Sequence, residues 1–406
     1  MSLERQRKIV NRVFQRGDVT RADLAQHLDL NAATIVRLVA GLLELGLLKS
    51  HAGTSTDRGR PTEILSLNPD AVKAIGLEFS RDHCLLVILN TLGEVTHQAS
   101  LPVPEFKANK VTLEALIKSL QTAVQKQGIA WSQVLSVGLS LHDIVDANGV
   151  WQTHEQPDSP FNVQAYVSER LMRTVVAEDV SRSFAFAEQK KGSGLEQKDM
   201  IYVFLGSHGV GSGIFVNGTL LKSSSGVCGE LGHIVVEANG DQCHCGSQGC
   251  LETVATHQAI EARFDERVKQ GVKTVLGPGA KFADICRAAA EGDKPAFLVL
   301  DELAQHLGQA LAAATNISGA PLIIIGGQLK LAGDGFLRSV ETALKRRVIA
   351  PLLKNIEVRY AALTPNAGAW GAASMALEKA FESGAVIELL SQKPLGEIQN
   401  SVVESV

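Results

Sequence analysis

Three cysteines and one histidine between residues 233 and 250 have the chemistry and spacing of a metal site. In the segment GELGHIVVEANGDQCHCGSQGCLE, His233 is followed by Cys243, Cys245 and Cys250. Three soft thiolates and one imidazole form a ligand set that suits tetrahedral zinc. Because four protein ligands leave no open coordination position for water, we predict a structural Zn²⁺ rather than a catalytic metal.

Two neighbouring side chains compete with this ligand set. His244 lies between two of the predicted ligands and is expected to point away from the metal, whereas Cys228 lies outside the glycine-rich segment. The chain has only six cysteines in 406 residues, and four of them fall between Cys228 and Cys250. That distribution favours a metal site over a disulfide scaffold or a set of unliganded thiols.

The residues before position 68 predict a small helical domain. Apolar residues at helical spacing indicate a first helix over residues 4–16. Thr20 and Asp23 form a capping box that opens a short second helix, and Asn31 can cap a third. The order of helix, short helix and capped helix is typical of a helix-turn-helix domain.

The outward face of the third helix is the predicted recognition surface. Its apolar stripe faces the first two helices, which leaves four residues facing outward: Ala32, Ala33, Thr34 and Arg37. Small side chains let such a helix lie deep in the major groove. There Thr34 can contact a base edge or a thymine methyl, and Arg37 a guanine or a phosphate.

Two extended stretches after the third helix predict a wing. ELGLLKSH and TEILSL flank the loop AGTSTDRGRP, which carries Arg58 and Arg60 near its tip. The glycine between the two arginines lets the backbone approach DNA, so that the guanidinium groups can enter a minor groove or clamp phosphates. We therefore predict a winged helix-turn-helix over residues 1–68; the alternative is a structural helical unit with an ordinary hairpin.

Charge is distributed unevenly along the chain. The first 63 residues carry ten Lys/Arg and seven Asp/Glu, a net charge of +3, whereas the remainder carries −7. A basic head on an acidic body suggests a polyanionic partner, here double-stranded DNA. Because one small head reads only a few base pairs, we expect a homodimer or homotetramer on a palindromic operator.

Apolar strands alternate with helices after the head, which indicates an α/β body over residues 69–384. AIGLEFS, HCLLVIL and GEVTHQA predict a strand meander that is followed by a helix and the strand VLSVGLSL. A second set contains MIYVFLG, GSGIFVNG and PLIIIGG, and two similar halves would enclose a ligand cleft. We expect a terminal helix and tail over 385–406, and a cytoplasmic protein without a membrane span.

Several of these segments together resemble the ROK family, which contains repressors and sugar kinases on an actin-like ATPase fold. The matching segments are GELGH, CHCGSQGCLE, LGSHGVGSGIFVNG and NAGAWGAA. With the predicted head and the wing sequence RGRP, the chain is similar to the repressor branch over nearly its whole length. The resemblance implies a transcriptional repressor of carbohydrate genes that is controlled by a sugar, a sugar phosphate or a sugar-transporter protein.

The resemblance also implies residues that bind the effector. In family members that bind sugars, the glutamate and histidine of GELGH and the glutamate after the last cysteine contact sugar hydroxyls; here these are Glu230, His233 and Glu252. His233 would then contact both the zinc ion and the sugar. The alternative is that Glu230 and Glu252 only orient the zinc ligands.

Family kinases differ from this chain at their phosphate loops. EFSRD over residues 78–82 stands where the kinases have a D-x-G-G-T sequence, and SHG over 207–209 replaces G-T-G. A bulky side chain and an added negative charge would hold ATP poorly, so we expect no enzymatic activity; the alternative is an active sugar kinase. The kinase base falls on Asp179 or Val180 depending on the alignment, and Asp179 can serve as a sugar contact.

Overall fold

The computed structural model describes residues 2–53, 63–79, 83–102, 109–142, 144–153, 156–207, 209–223, 225–363 and 366–392. These residues fold into two compact units. Unit 1 contains the described residues within the ranges 1–140, 158–177 and 372–406, and unit 2 those within 141–157 and 178–371. No helix in the described parts of the chain is long and apolar enough to cross a bilayer.

Unit 1 begins with three helices and a small antiparallel sheet of strand order β1-β3-β2. The elements are α1 (Ser2–Arg16), β1 (Val19–Thr20), α2 (Arg21–Leu28), α3 (Ala32–Glu44), β2 (Leu48–Ala52) and β3 (Glu63–Leu67). Thr20 and Asp23 form the predicted reciprocal capping box of α2, and Asn31 Oδ1 accepts the Thr34 N–H at 2.8 Å. The three predicted helices and their caps are therefore present. Arg58 and Arg60 lie outside the described residues.

The rest of unit 1 is built on a five-stranded sheet of order β11-β7-β4-β5-β6. Its strands are β4 (Lys73–Phe79), β5 (His83–Leu89), β6 (Val95–Pro102), β7 (Val134–Leu141) and β11 (Thr174–Asp179), and its helices are α4 (Lys110–Lys126) and α5 (Val163–Leu171). The first three strands form the predicted antiparallel meander, and β7 runs parallel to β4. Between β7 and β11 in sequence lie β8 (Ile144–Val145), β9 (Val150–Thr153) and β10 (Gln156–Asn162), which form a separate three-stranded sheet.

Unit 2 repeats this strand pattern in a sheet of order β14-β13-β12-β15-β16. Its strands are β12 (Met200–Leu205), β13 (Val210–Val216), β14 (Thr219–Leu220), β15 (Leu322–Gly326) and β16 (Glu357–Tyr360). Its helices are α6 (Val180–Lys191), α7 (Leu251–Ala255), α8 (His257–Lys269), α9 (Phe282–Ala290), α10 (Lys294–Ser318) and α11 (Gly333–Lys345). Here too an antiparallel meander is followed by parallel strands, so the two predicted halves share one topology.

Two helices follow the second sheet. They are α12 (Ala367–Ser383) and α13 (Ala385–Ser391), and α13 contains the predicted terminal helix AVIELL. The first residues of α12 belong to unit 2 and the remainder, from residue 372, to unit 1. The predicted tail from residue 393 lies outside the described residues.

Close packing between α6 and β13 positions the amino-terminal end of α6. Gly211 of β13 faces Ser181, and a Cβ at this glycine would overlap the Ser181 Oγ. A larger residue would therefore push the helix away from the strand. Asp179, the N-cap residue of α6, is fixed relative to the sheet by this contact.

Candidate metal and effector site

The four predicted metal ligands converge in unit 2. His233 ends a short 3₁₀ turn, Leu231–His233, and Cys250 is the N-cap residue of α7. Together with Cys243 and Cys245, they place four ligand atoms within 4.8 Å of one another. The Cys243 Sγ lies 3.6 Å from the His233 Nδ1, and the Cys245 Sγ lies 3.7 Å from the Cys250 Sγ.

These separations fit a tetrahedral ion with the bond lengths of zinc. Zinc bonds of about 2.3 Å to sulfur and about 2.05 Å to nitrogen require sulfurs about 3.8 Å apart and a sulfur–nitrogen distance of about 3.6 Å. Both observed distances agree with these values to about 0.1 Å. These two pairs are therefore spaced as a zinc ion requires, and all four ligand atoms lie within 4.8 Å of one another.

Backbone hydrogen bonds hold the metal-binding segment in shape. The Cys243 N–H donates to the Ser247 carbonyl at 2.8 Å, and the Val236 N–H to the Gly249 carbonyl at 2.8 Å. Gly249 has a φ of +72°, and a Cβ there would overlap the Glu237 carbonyl oxygen. A hydrogen bond from the Ser247 backbone lowers the pKa of Cys245, whereas burial raises the pKa of Cys243 to about 12. Metal binding must therefore displace a proton from Cys243.

The residues expected to bind a sugar lie beside this cluster. Glu230 immediately precedes the turn that carries His233, and the buried Glu252 lies on α7, two residues after Cys250. Burial raises the pKa of Glu230, and the negative charges of Asp179 and Glu252 raise it further. The three carboxylates are thus close enough to interact, and the structure brings them together with His233.

Asp179 also has a structural role. Its Oδ1 accepts the backbone N–H groups of Ser181 and Arg182 at 2.8 and 3.1 Å, which caps α6. Burial raises the pKa of Asp179, and Glu178 adds to this effect while Arg182 opposes it. Val180, the other candidate for the kinase base position, is a buried apolar residue on the first turn of α6.

His244 does not point away from the site, contrary to expectation. Its ring lies edge-on to His233 with centroids 5.3 Å apart, and its Nε2 contacts the Glu252 Oε1. The other carboxylate oxygen of Glu252 accepts the Val210 N–H at 2.9 Å. The expectation would hold on a strand, where side chains alternate. Here the Gly246 N–H donates to the Cys243 carbonyl and closes a turn, in which the His244 side chain is exposed but lies against Glu252. Cys228 instead donates to the Leu221 carbonyl at 3.1 Å.

Sequence reasoning missed a buried ion pair next to Asp179, one of the residues expected to bind the effector. Arg182 Nε donates to Glu178 at 2.6 Å, and its two terminal nitrogens donate to the carbonyls of Gly226 and Val145 at 2.9 and 2.7 Å. Lys222 Nζ lies 2.5 Å from the second oxygen of Glu178. The sequence feature that could have predicted this ion pair is the spacing of four residues between Glu178 and Arg182, which brings two side chains together on one face of a helix.

A separate candidate interface lies on the head. Ala32, Ala33 and Arg37 are exposed on α3, and Thr34 is half-buried. The opposite face of α3 is buried, through Ile35, Leu38, Val39 and Leu42. Of the altered kinase loops, residues 80–82 and 208 lie outside the described residues.

Comparison with known proteins places the chain in a family. The model of the ROK family matches residues 74–379. The DNA-binding transcriptional dual regulator NagC of Escherichia coli K12 is 28% identical over 351 residues, which cover 85% of this chain and 86% of NagC. The crystal structure of a ROK family transcriptional regulator, a homologue of the E. coli MLC protein, has a TM-score of 0.83 at 24% identity and covers 96% of this chain and 98% of its own.

A kinase structure matches a smaller part of the chain. The ROK family glucokinase of Streptomyces griseus, solved with glucose and AMPPNP, has a TM-score of 0.62 at 25% identity and covers 75% of this chain and 99% of its own. The body therefore has the α/β, actin-like fold of these sugar kinases. Because the family model matches residues 74–379, the chain belongs to the ROK family.

Proposed function

We propose that this chain is a DNA-binding transcriptional repressor of genes for carbohydrate uptake or metabolism. The observation that carries the proposal is the exposed face of α3, which presents Ala32, Ala33 and Arg37 from a buried three-helix core. This head precedes a ROK body, and NagC, whose name describes a DNA-binding transcriptional regulator, matches 85% of this chain. The glucokinase match covers only 75% of the chain.

In this proposal the head is a winged helix-turn-helix over residues 1–68. The antiparallel pair β2 and β3 supports the stem of a wing, whose tip carries Arg58 and Arg60. Ala32, Ala33 and Thr34 at the start of α3 lie in the major groove, and Arg37 contacts a base or a phosphate. The capped amino-terminal end of α3 also carries a partial positive charge, which favours a nearby phosphate.

The body binds the effector, a sugar or sugar phosphate, through Asp179, Glu230, His233 and Glu252. Carboxylates suit sugars because they accept hydrogen bonds from vicinal hydroxyl groups. A structural zinc ion holds two parts of this site in place. Its ligands are His233, Cys243, Cys245 and Cys250. His233 is itself an effector contact, and Cys250 begins the helix that carries Glu252.

The chain acts as a homodimer or homotetramer without catalysis. Two heads related by a two-fold axis read a palindrome and raise each other's effective concentration on DNA. A sugar-transporter protein is the alternative effector. An active sugar kinase is the alternative function. Incubation of the protein with ATP and a panel of hexoses tests this alternative. Sugar-dependent release of ADP would contradict the absence of catalysis.

Selection of DNA from genomic fragments tests the proposal. The purified protein should enrich fragments that share a palindromic site and lie next to genes of carbohydrate metabolism. Sugars and their phosphates are then added to the complex, and one of them should release the wild type but not a Glu230→Gln variant. Enrichment of no common sequence would contradict the proposed function.

A further inference from the structure

We infer that helix α12 couples the effector site to the DNA-binding head, and that the stacked pair of Phe14 and Phe381 is the contact through which it acts. The inference rests on the proposed function. It assigns a role to a helix that belongs to neither the zinc cluster nor the recognition surface. The helix contributes its first residues to unit 2 and its remainder to unit 1.

Within unit 2, α12 packs directly on the helix that carries the effector residue Asp179. Asp179 caps α6, and Ser183 lies one turn further along that helix. A Cβ at Gly371 would overlap the carbonyl oxygen of Ser183, so the two backbones are in contact with no side chain between them. If effector binding displaces α6, the first turn of α12 should therefore move with it by a similar distance.

Within unit 1, the same helix is enclosed and ends on the head. All residues from 371 to 377 are buried. A Cβ at Gly138 of β7 would overlap the Ala372 carbonyl oxygen, which again brings two backbones into contact. Further along, the buried Phe381 stacks on Phe14 with ring centroids 4.4 Å apart and an angle of 24° between the rings.

Phe14 connects this contact to the recognition helix. It lies in the last turns of α1, and α1 packs against α3. A Cβ at Gly41 of α3 would lie 3.1 Å from the Gln6 side chain of α1. A shift of Phe381 would thus move α1 and, with it, the face of α3 that carries Arg37. Packed helices switch between discrete arrangements rather than deforming continuously, so this path suits a two-state response.

Steric variants test the coupling without knowledge of the effector. The probe is a DNA duplex that the wild type selects from a random library, and its Kd is measured by fluorescence anisotropy. Gly371→Ala forces α12 away from Ser183 and should change this Kd about tenfold, within the range typical of coupling between sites. The matched control Gly308→Ala creates a similar clash in unit 2, against Ala343, and should change the Kd less than about twofold.

A double-mutant cycle identifies the contact that transmits the change. In a Phe381→Ala background, Gly371→Ala should no longer alter the Kd, because its displacement has no contact through which to reach α1. If Gly371→Ala has the same effect with and without Phe381, or has no effect, the inference is wrong. If the wild type selects no duplex, the proposed function fails instead, so the two failures are distinguishable.

If Gly371→Ala does not fold, amide hydrogen exchange of the wild type tests the coupling through α12 instead. Addition of the selected duplex should change the exchange of peptides covering residues 367–371, because coupling between two sites is reciprocal. Peptides from α10 serve as the internal control and should not change. Exchange differences confined to the residues before position 68 would overturn the inference.

Discussion

Replacement of Cys250 by alanine should abolish tight zinc binding, whereas replacement of Cys228 should not. Cys250 is fully buried among the four ligand atoms that lie within 4.8 Å of one another. Cys228 donates its thiol to the Leu221 carbonyl instead and is the matched control. Both substitutions remove one sulfur, so a difference between them reports on the cluster.

The number of ligands in the cluster determines how much zinc affinity Cys250→Ala should lose. A complete site with four ligands binds zinc by about 10–16 kcal/mol near pH 7, which corresponds to a Kd of about 10⁻⁷ to 10⁻¹² M. Loss of one ligand of four should remove roughly a quarter of this, about 2.5–4 kcal/mol, and so weaken binding by roughly 70- to 900-fold. Because Cys243 must lose its proton, zinc affinity should also fall as the pH is lowered.

The assay measures zinc per chain by mass spectrometry after dialysis, followed by competition with a chelator of known affinity. The wild type and Cys228→Ala should retain one zinc ion per chain, and Cys250→Ala should lose it to the chelator. Thermal melting should show a lower midpoint for Cys250→Ala alone. Wild-type affinity in Cys250→Ala, or binding by the wild type weaker than about micromolar, would refute the account of a four-ligand structural site.

Two further predictions concern charged groups in and beside the proposed effector site. Glu230→Gln should raise the free energy of unfolding at pH 7 by less than about 1 kcal/mol, because partial burial and the charges of Asp179 and Glu252 raise the pKa of Glu230, while solvent around its exposed side chain weakens the effect. The stability of the wild type relative to this variant should improve as the pH falls toward 4; melts that show the opposite trend would contradict the assignment. Arg182→Ala should lower the free energy of unfolding in urea by about 3–5 kcal/mol, because it strips Glu178 of its buried partner. The control Lys222→Ala removes a half-exposed partner and should cost less than about 1 kcal/mol, whereas equal losses would show that Arg182 has no special role.

Features that depend on residues close in sequence were predictable. The capping box of Thr20 and Asp23 and the cap by Asn31 each join residues three positions apart, so the helices of the head could be placed from the sequence. The predicted metal ligands lie within one short segment, and their residue types are those that bind zinc. The alternation of apolar strands similarly revealed both halves of the body.

Features that depend on distant contacts were not predictable. Arg182 bonds carbonyl groups 37 and 44 residues away, and nothing in the types of Val145 or Gly226 indicates an acceptor. Phe14 and Phe381 stack from opposite ends of the chain, where either residue alone resembles an ordinary core residue. The predicted orientation of His244 was wrong for a local reason, since only the geometry of the turn shows which way its side chain points.

The most direct test of the central claim is the DNA affinity of wild type, Arg37→Ala and Arg5→Ala on a selected and a scrambled duplex. Arg37 is exposed on α3, and Arg5 is an exposed arginine of α1, which controls for loss of one positive charge. Arg37→Ala should weaken binding to the selected duplex by about 1–3 kcal/mol, and Arg5→Ala should cost far less. Equal affinity of the wild type for both duplexes, or equal losses in the two variants, would contradict recognition of DNA by α3.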